Sequence, residues 1–231
     1  MKKQFVILAL ALAFCLQLSA QTYKIDTSAI NFENQLRPCF TVKYDASPKE
    51  VKKAWDDYFK KTYDVKVKGI GFLTNKEVIT ATDITLVAVS DKRMNLYASV
   101  VDAPGERSEL SYFMSFGYDF FIGADNYPTE FAAMKKILND FSVEFLTDFY
   151  YSEASRMTSE IKGLEKDIKQ NNKSIKKNTK KARKESKEVA NGLSAKNTSM
   201  EMENDQAKKK IEELSKAIDE IKVKQAGVKR N

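Results

Sequence analysis

Carboxylates are the main side chains in this 231-residue chain that could do acid–base chemistry or hold a metal. The chain has no histidine, which excludes Ser-His-Asp and Cys-His nucleophile systems and the commonest zinc sites. Four aspartates could in principle pair as acid and base or bind calcium: Asp83, Asp102, Asp119 and Asp125. Their spacing matches no known ligand loop. We therefore predict no catalytic, cofactor or metal site, with a carboxylate-only hydrolase as the remaining enzymatic alternative.

A second group of reactive side chains is cationic and concentrated between residues 173 and 187. Glu185 is the single acid among eight cations, which are Lys173, Lys176, Lys177, Lys180, Lys181, Arg183, Lys184 and Lys187. Such a cluster favours electrostatic contact with an anionic polymer or surface. The alternative is a solvated helical face that keeps a weak coiled coil soluble, and the two interpretations are compatible.

An aromatic-rich run gives a third candidate site. In a strand, Tyr112, Met114, Phe116, Tyr118 and Phe120 would fall on one face and could form the wall of an apolar ligand pocket. The alternative is that these side chains simply belong to the core.

The cationic cluster lies within a Pro-free tract, residues 152–229, that carries two heptad seams. The first seam comprises Met157, Ile161, Leu164, Ile168, Ile175, Ala182 and Val189, with Asn171 and Asn178 at alternate positions. The second comprises Met200, Ala207, Ile211, Leu214, Ile218, Ile221 and Val228. The two registers do not join, so we predict a break at Asn191-Gly192 with Ser194 capping the next helix.

The two helices have nearly equal lengths, which predicts an antiparallel coiled-coil hairpin. Folding about residue 192 would bring Ile161, Leu164 and Ile168 near Ile221, Ile218 and Leu214. The alternative is one bent helix that dimerises in parallel.

The preceding segment predicts a small α+β domain. Residues 36–44 alternate as a strand, and Ser47-Pro48-Lys49-Glu50 is a capping box that opens a helix to about Tyr63. Four strand-like runs follow, Val65–Leu73, Glu77–Ser90, Arg93–Val101 and Arg107–Phe121. A second helix starts near Pro128, and no breaker separates it from the hairpin. The predicted fold is a strand-helix-four strands-helix antiparallel sheet domain followed by the hairpin.

This order of elements over residues 36–150 resembles the helix-grip or TBP-like arrangement, in which a curved antiparallel sheet wraps a long C-terminal helix. It is similar to uncharacterised secreted bacterial domains of that type with a C-terminal coiled coil. The resemblance implies either an apolar-ligand site between sheet and helix or a pure interaction module. It carries over no functional residues.

The start of the chain predicts export. Lys2 and Lys3 precede an apolar core, Phe5 to Leu16, and small residues at Ser19-Ala20 precede Gln21, which is typical of a cleaved signal peptide. Cleavage there leaves Cys39 as a lone thiol, which we predict to be buried and inert. The predicted domains are a signal peptide, 1–20, an α+β domain, 21–150, and a basic hairpin, 151–231.

Charge is divided unequally between the two larger parts. Residues 151–231 hold 21 Lys+Arg and 13 Asp+Glu, whereas residues 21–150 hold 16 and 19. We therefore predict a non-enzymatic interaction or scaffold protein of a bacterial envelope, periplasmic or extracellular. It would need no cofactor, and its hairpin would contact a protein partner or an anionic envelope polymer, or self-associate. Nucleic acid is disfavoured as a partner by the predicted export. The alternative function is a carrier or sensor of a small apolar ligand.

Overall fold

A computed structural model gives the structure of residues 23–69, 78–104 and 107–228. The predicted signal peptide lies outside the described residues, as do residues 70–73 of the first predicted strand-like run. The chain divides into two compact units. The first unit consists of the chain up to Phe149 together with the chain from Ala226 onward. The second unit is Tyr150–Gln225.

The first unit contains a five-stranded antiparallel sheet, which confirms the predicted α+β class with a following helical hairpin. The strands are β1 (Ile25–Phe32), β2 (Gln35–Tyr44), β3 (Val78–Leu86), β4 (Ser90–Val101) and β5 (Ser108–Ser115). Their order in the sheet is β1-β2-β5-β4-β3. The sheet therefore has two edges, formed by β1 and β3.

Strand β1 was not predicted from the sequence. It pairs with β2 along its whole length, from Ile25 opposite Val42 to Phe32 opposite Gln35. Glu33 and Asn34 form the two-residue connection, and both have positive φ, 53° and 60°. Positive φ at both central residues is the type I′ turn that best matches strand twist. Asn34 is a common residue in such a turn and was a signal for it, but Glu33 is not a usual residue there.

Three of the predicted strand-like runs are shorter in the structure, and one of them, Glu77–Ser90, is a strand only as far as Leu86. Val65–Leu73 forms no strand in its described part, where Lys68 makes only an isolated bridge to Thr80. Arg107–Phe121 is a strand only from Ser108 to Ser115. Gly117 has a φ of 126°, which ends the extended conformation. The described residues of the first unit therefore have the order strand-strand-helix-three strands-helix, which corrects the predicted order.

Helix α1 (Pro48–Tyr63) begins as predicted. The backbone N–H of Ser47 donates to Glu50 Oε2 at 2.8 Å, and the backbone N–H of Glu50 donates to Ser47 Oγ at 3.4 Å. This reciprocal pair satisfies donors that a helix N-terminus otherwise leaves free. The hydrogen bond from Ser47 also lowers the pKa of the Glu50 carboxyl.

One face of the sheet packs against α1 and helix α2 (Pro128–Ala182). Trp55 of α1 has its ring centroid 5.1 Å from Tyr112 of β5 and 4.8 Å from Phe141 of α2. Phe40 of β2 stacks on Phe131 at 4.1 Å. The predicted apolar stripe of α2 is thus confirmed as the cover of this face, and aromatic rings form the core beneath it.

The opposite face carries a smaller apolar cluster. Cys39, Phe113 and Phe121 are buried in it, and Ile30, Phe32, Val78 and Tyr97 pack around them half-buried. Burial raises the pKa of the Cys39 thiol to about 11, with a smaller contribution from Glu109. The predicted burial of this cysteine is confirmed. Arg37 covers Phe121, with its guanidinium carbon 4.1 Å from the ring centroid.

The second unit is the helical hairpin, made from the later part of α2 and helix α3 (Lys187–Ala226). As expected from the missing breaker, α2 runs without interruption from the first unit into the hairpin. The turn lies at residues 183–186. The predicted break at Asn191-Gly192, with a cap at Ser194, is therefore wrong, and so is the alternative of one bent helix.

The position of the turn has a local explanation. The carbonyl of Ser186 accepts from the Ala190 N–H at 2.9 Å, so α3 starts after a serine, a preferred residue before a helix. Helix α3 then continues through Gly192. A glycine inside a helix costs only about 1 kcal/mol, and continuing the helix keeps Leu193 and Met200 half-buried.

Candidate functional site

Asparagine pairs fix the register of the hairpin in its outer half. Asn171 Nδ2 donates to Asn204 Oδ1 at 3.1 Å, and Asn204 Nδ2 donates to Asn172 Oδ1 at 3.1 Å. One heptad nearer the turn, Asn178 Nδ2 donates to Asn197 Oδ1 at 3.0 Å. Asn204 is buried, so these bonds supply partners to an amide that would otherwise be desolvated without one.

This register differs from the predicted pairing by one heptad. With Asn171 opposite Asn204, counting along both seams places Ile161 opposite Leu214 rather than Ile221. Val189, assigned to the first seam, lies on α3 and is exposed. A seven-residue shift returns every seam residue to the seam, so the apolar pattern alone fits both registers. The asparagine pairs and the location of the turn together select the observed register.

The seam is loosely packed at the level where its residues change from apolar to polar along the hairpin. An open cleft of about 320 Å³ lies there, and its lining includes Leu164, Ile168 and Ala207. Ala207 is too small to fill the space that a leucine would take in this position. Stronger apolar residues lie farther from the turn, where Leu214 is buried.

The eight predicted cations lie together at the turn end of the hairpin, and we call them the basic tip. Lys173, Lys176, Lys177, Lys180 and Lys181 belong to α2, Arg183 and Lys184 to the turn, and Lys187 to the start of α3. All eight are exposed. Seam residues Asn171, Ile175, Asn178 and Ala182 alternate with them, so most of the cations occupy the outward helix face.

Within the described part of the chain, the basic tip forms no ion pair with a carboxylate. Lysines nearer the base of the hairpin differ in this respect. Lys208 contacts Asp205 at 2.9 Å and Lys216 contacts Glu212 at 2.7 Å. The hydrogen bond between Lys216 and Glu212 lowers the pKa of the Glu212 carboxyl. The positive charge of the tip is thus uncompensated, whereas much of the charge at the base is paired.

The structure does not bring the predicted pocket wall together. Tyr112 and Met114 are fully buried, with Tyr112 Oη donating to Met114 Sδ at 2.9 Å. Phe116 is half-buried against Tyr127, whereas Tyr118 and Phe120 lie beyond the end of β5 and are 87% and 62% exposed. The prediction of a single continuous face is wrong because the strand ends at Ser115.

Two of the four candidate aspartates engage in ion pairs. Asp83, at the β3 bulge, accepts from Arg93 Nε at 2.7 Å, and Asp119 accepts from Arg37 at 3.1 Å. These contacts hold surface loops and strands together. In residues 23–69, 78–104 and 107–228, no group of three His, Cys, Asp or Glu side chains is placed to hold a metal ion.

The partners of the seam asparagines, Asn197 and Asn204, were not predicted from the sequence, although it carries a signal for them. Counting back from Met200 in steps of three and four reaches Asn197 and then, forward, Asn204, so the second seam carried the same polar signal as the first. Asn197 also donates from Nδ2 to Thr179 Oγ1 at 3.2 Å. A search for asparagines at matched heptad positions in both helices would have found this register.

Over the described residues, no helix has an apolar stretch long enough to cross a membrane. Comparison with known proteins gave no matching family model, no matching curated protein and no matching solved structure. The basic tip, defined by its exposure and by the absence of ion pairs to its cations among the described residues, is the candidate site that the geometry itself supports.

Proposed function

We propose that this chain is a non-enzymatic interaction protein of a bacterial envelope, which contacts an anionic partner through the basic tip. The observation that carries the proposal is the concentration of eight exposed cations without carboxylate partners among the described residues. An isolated surface helix gains solubility from mixed charges. A one-signed cluster instead raises the local concentration of anions and speeds association with them.

The chemistry of the tip supports a purely electrostatic contact. Residues 152–231 contain no Phe, Tyr or Trp, so the basic tip offers no ring on which a base could stack, as single-stranded nucleic acid sites usually do. Binding through charge alone is reversible and weakens as salt screens it. A scaffold protein that forms and releases contacts with an anionic surface requires such reversible binding.

The proposed envelope location rests on residues 1–20, which have the pattern of a signal peptide. Export would expose the basic tip to envelope polymers. The alternative function, an apolar-ligand carrier, receives no support from the described interior of the sheet domain. Trp55, Tyr112 and Phe141 fill the space between the sheet and its covering helices with ring contacts of about 5 Å.

Neutralising four tip lysines tests the function. We expect the combined variant Lys176→Gln, Lys177→Gln, Lys180→Gln and Lys181→Gln to lose binding to solubilised envelope material and to heparin, a defined polyanion. The expected loss at physiological salt is roughly tenfold or more, with a shallower dependence of affinity on salt. Pull-down and fluorescence titration over a salt series measure both quantities.

The matched control removes the same charge from the base of the hairpin through Lys208→Gln, Lys209→Gln, Lys210→Gln and Lys216→Gln. These positions are also exposed, and three of them already pair with carboxylates. We expect the control to bind as the parent protein does. Equal losses in both variants would mean that net charge, and not the basic tip, governs binding, and the proposal would then fail.

A further inference from the structure

Strand β1 presents a regular sheet edge with which no other strand of the described residues pairs. A two-residue turn is closed by a hydrogen bond between the residues that flank it, here Phe32 and Gln35. Hydrogen-bonded residues alternate along an antiparallel pair. The N–H and C=O groups of Ile25, Thr27, Ala29 and Asn31 therefore point away from β2. No described strand pairs with them, and the side chains of β1 are exposed or half-buried.

The other edge of the same sheet is blocked by the chain itself. Lys68 exchanges backbone hydrogen bonds with Thr80 of β3 at 2.7 and 2.9 Å. Farther along β3 the register shifts between Ala81 and Ile84, where Asp83 has a φ of 56°. Bulges and covering segments are devices that prevent a sheet edge from pairing with another strand. Strand β1 has no bulge in its register and no proline.

The composition of β1 suits pairing with an identical strand. Its one charged residue, Asp26, is already paired with Lys24 at 2.5 Å, so two copies would meet without a net charge. A two-fold axis perpendicular to the sheet at Ile30 would set Ala29 opposite Asn31 of a second copy, and Ile30 opposite the same residue of that copy. It would also align the same faces of the two sheets.

Face alignment has a consequence for the smaller apolar cluster. Ile30 and Phe32 of β1 are the members of that cluster nearest to the open edge, and both are only half-buried. A second copy paired along β1 would bring its own Ile30 and Phe32 to the same face, so that each cluster would cover the exposed side of the other. Burial of apolar surface would then add to the backbone hydrogen bonds.

We propose that β1 pairs antiparallel with β1 of a second copy of this chain, joining two five-stranded sheets into one continuous sheet. The partner is a second copy because β1 is uncharged in sum, is compatible with two-fold pairing and carries an apolar cluster that the pairing would complete. This proposal concerns the sheet domain and is independent of the function proposed for the basic tip.

Sedimentation equilibrium of the chain from Gln21 onward tests the pairing. We expect a dimer mass that falls to the monomer mass as the protein is diluted. The variant Ala29→Pro removes a donor that faces away from β2, so it should leave the β1–β2 hairpin intact while blocking the edge. It should sediment as a monomer with an unchanged circular dichroism spectrum.

A cysteine cross-link keeps the test decisive if Ala29→Pro disturbs folding. Ala29→Cys and Asn31→Cys proteins, mixed and mildly oxidised, should form a covalent dimer, since hydrogen-bonded strand neighbours lie within disulfide range. The matched control Thr82→Cys, on the blocked β3 edge, should remain monomeric, and native Cys39 is buried. A monomer at every concentration would overturn the proposal. So would a dimer that persists in Ala29→Pro and yields no β1 cross-link.

Discussion

Asn171 and Asn204 occupy positions where most coiled coils place apolar side chains. Their amides are acceptable there because each finds a partner, including a second bond from Asn171 Nδ2 to Glu203 Oε2 at 3.2 Å. A polar residue in a seam lowers stability but restricts the register, because any slip would leave it unpaired. In this hairpin the apolar residues fit two registers seven residues apart, and the asparagines admit one.

Removing one asparagine should therefore cost more than removing both. Asn204→Leu leaves the amides of Asn171 and Asn172 without their partner, and we expect it to lower the free energy of unfolding by about 1–2 kcal/mol. The double variant Asn171→Leu and Asn204→Leu should recover most of that loss or exceed the parent protein, because two apolar groups then meet. Urea unfolding followed by circular dichroism gives the coupling energy of the cycle.

An exposed asparagine on the same helix supplies the control for this cycle. Asn191 is exposed on α3, so Asn191→Leu should change stability by only a few tenths of a kcal/mol. Strictly additive effects of the two seam substitutions would show that the Asn171–Asn204 hydrogen bond does not couple the helices.

At the scale of elements, replacing Gly192 or Gly117 by alanine should change stability in opposite directions. Neither has a heavy atom within 4 Å of an added Cβ, so sterics with neighbours do not separate them. Gly192 lies inside α3, and Gly192→Ala should stabilise the hairpin by about 0.5–1 kcal/mol. Gly117 has a φ of 126°, and Gly117→Ala should destabilise the sheet domain by about 1–3 kcal/mol.

Thermal unfolding of the two alanine variants measures both effects. Helical circular dichroism follows the hairpin, and tryptophan fluorescence from Trp55 follows the sheet domain. A destabilised Gly192→Ala would contradict a helix that runs through this position and would return the turn to Asn191-Gly192.

The elements that the sequence predicted correctly are those with a local signal. The capping box at Ser47 and Glu50 marks the start of α1, and the apolar stripe from Phe131 to Phe145 marks the buried face of α2. Heptads likewise predicted the hairpin. Its turn was misplaced because glycine is a strong signal for a helix end, whereas Ser186 between Glu185 and Lys187 is a weak one.

Strand β1 could not be predicted from its own residues. Its side chains, apart from Ile25, Ile30 and Phe32, are polar or small, because only one neighbouring strand and part of one face bury it. The aromatic cluster around Cys39 likewise depends on residues far apart in the chain. Such contacts follow from tertiary packing, which a periodicity search does not contain.

At the scale of the whole molecule, the two proposals have a joint consequence. If β1 pairs two copies, each assembly carries two basic tips, and a repeating anionic polymer can engage both. We expect Ala29→Pro to weaken binding to long heparin by roughly tenfold or more, although it removes no charge. Binding to a short heparin fragment, which can occupy only one tip, should stay unchanged in the same titration. If the parent protein and Ala29→Pro bound long heparin with equal affinity, each basic tip would bind the polymer independently of the other.

The repeated asparagine pairs also bear on how the length of such a protein can change in evolution. Asn171–Asn204 and Asn178–Asn197 are separated by seven residues on each helix. Loss of residues 172–178 together with 197–203 would keep Asn171 opposite Asn204 and leave the turn intact. Each such paired deletion or duplication would alter the length of the hairpin by about 10 Å. The length of this hairpin is thus adjustable in whole heptads, without redesign of its register or its turn.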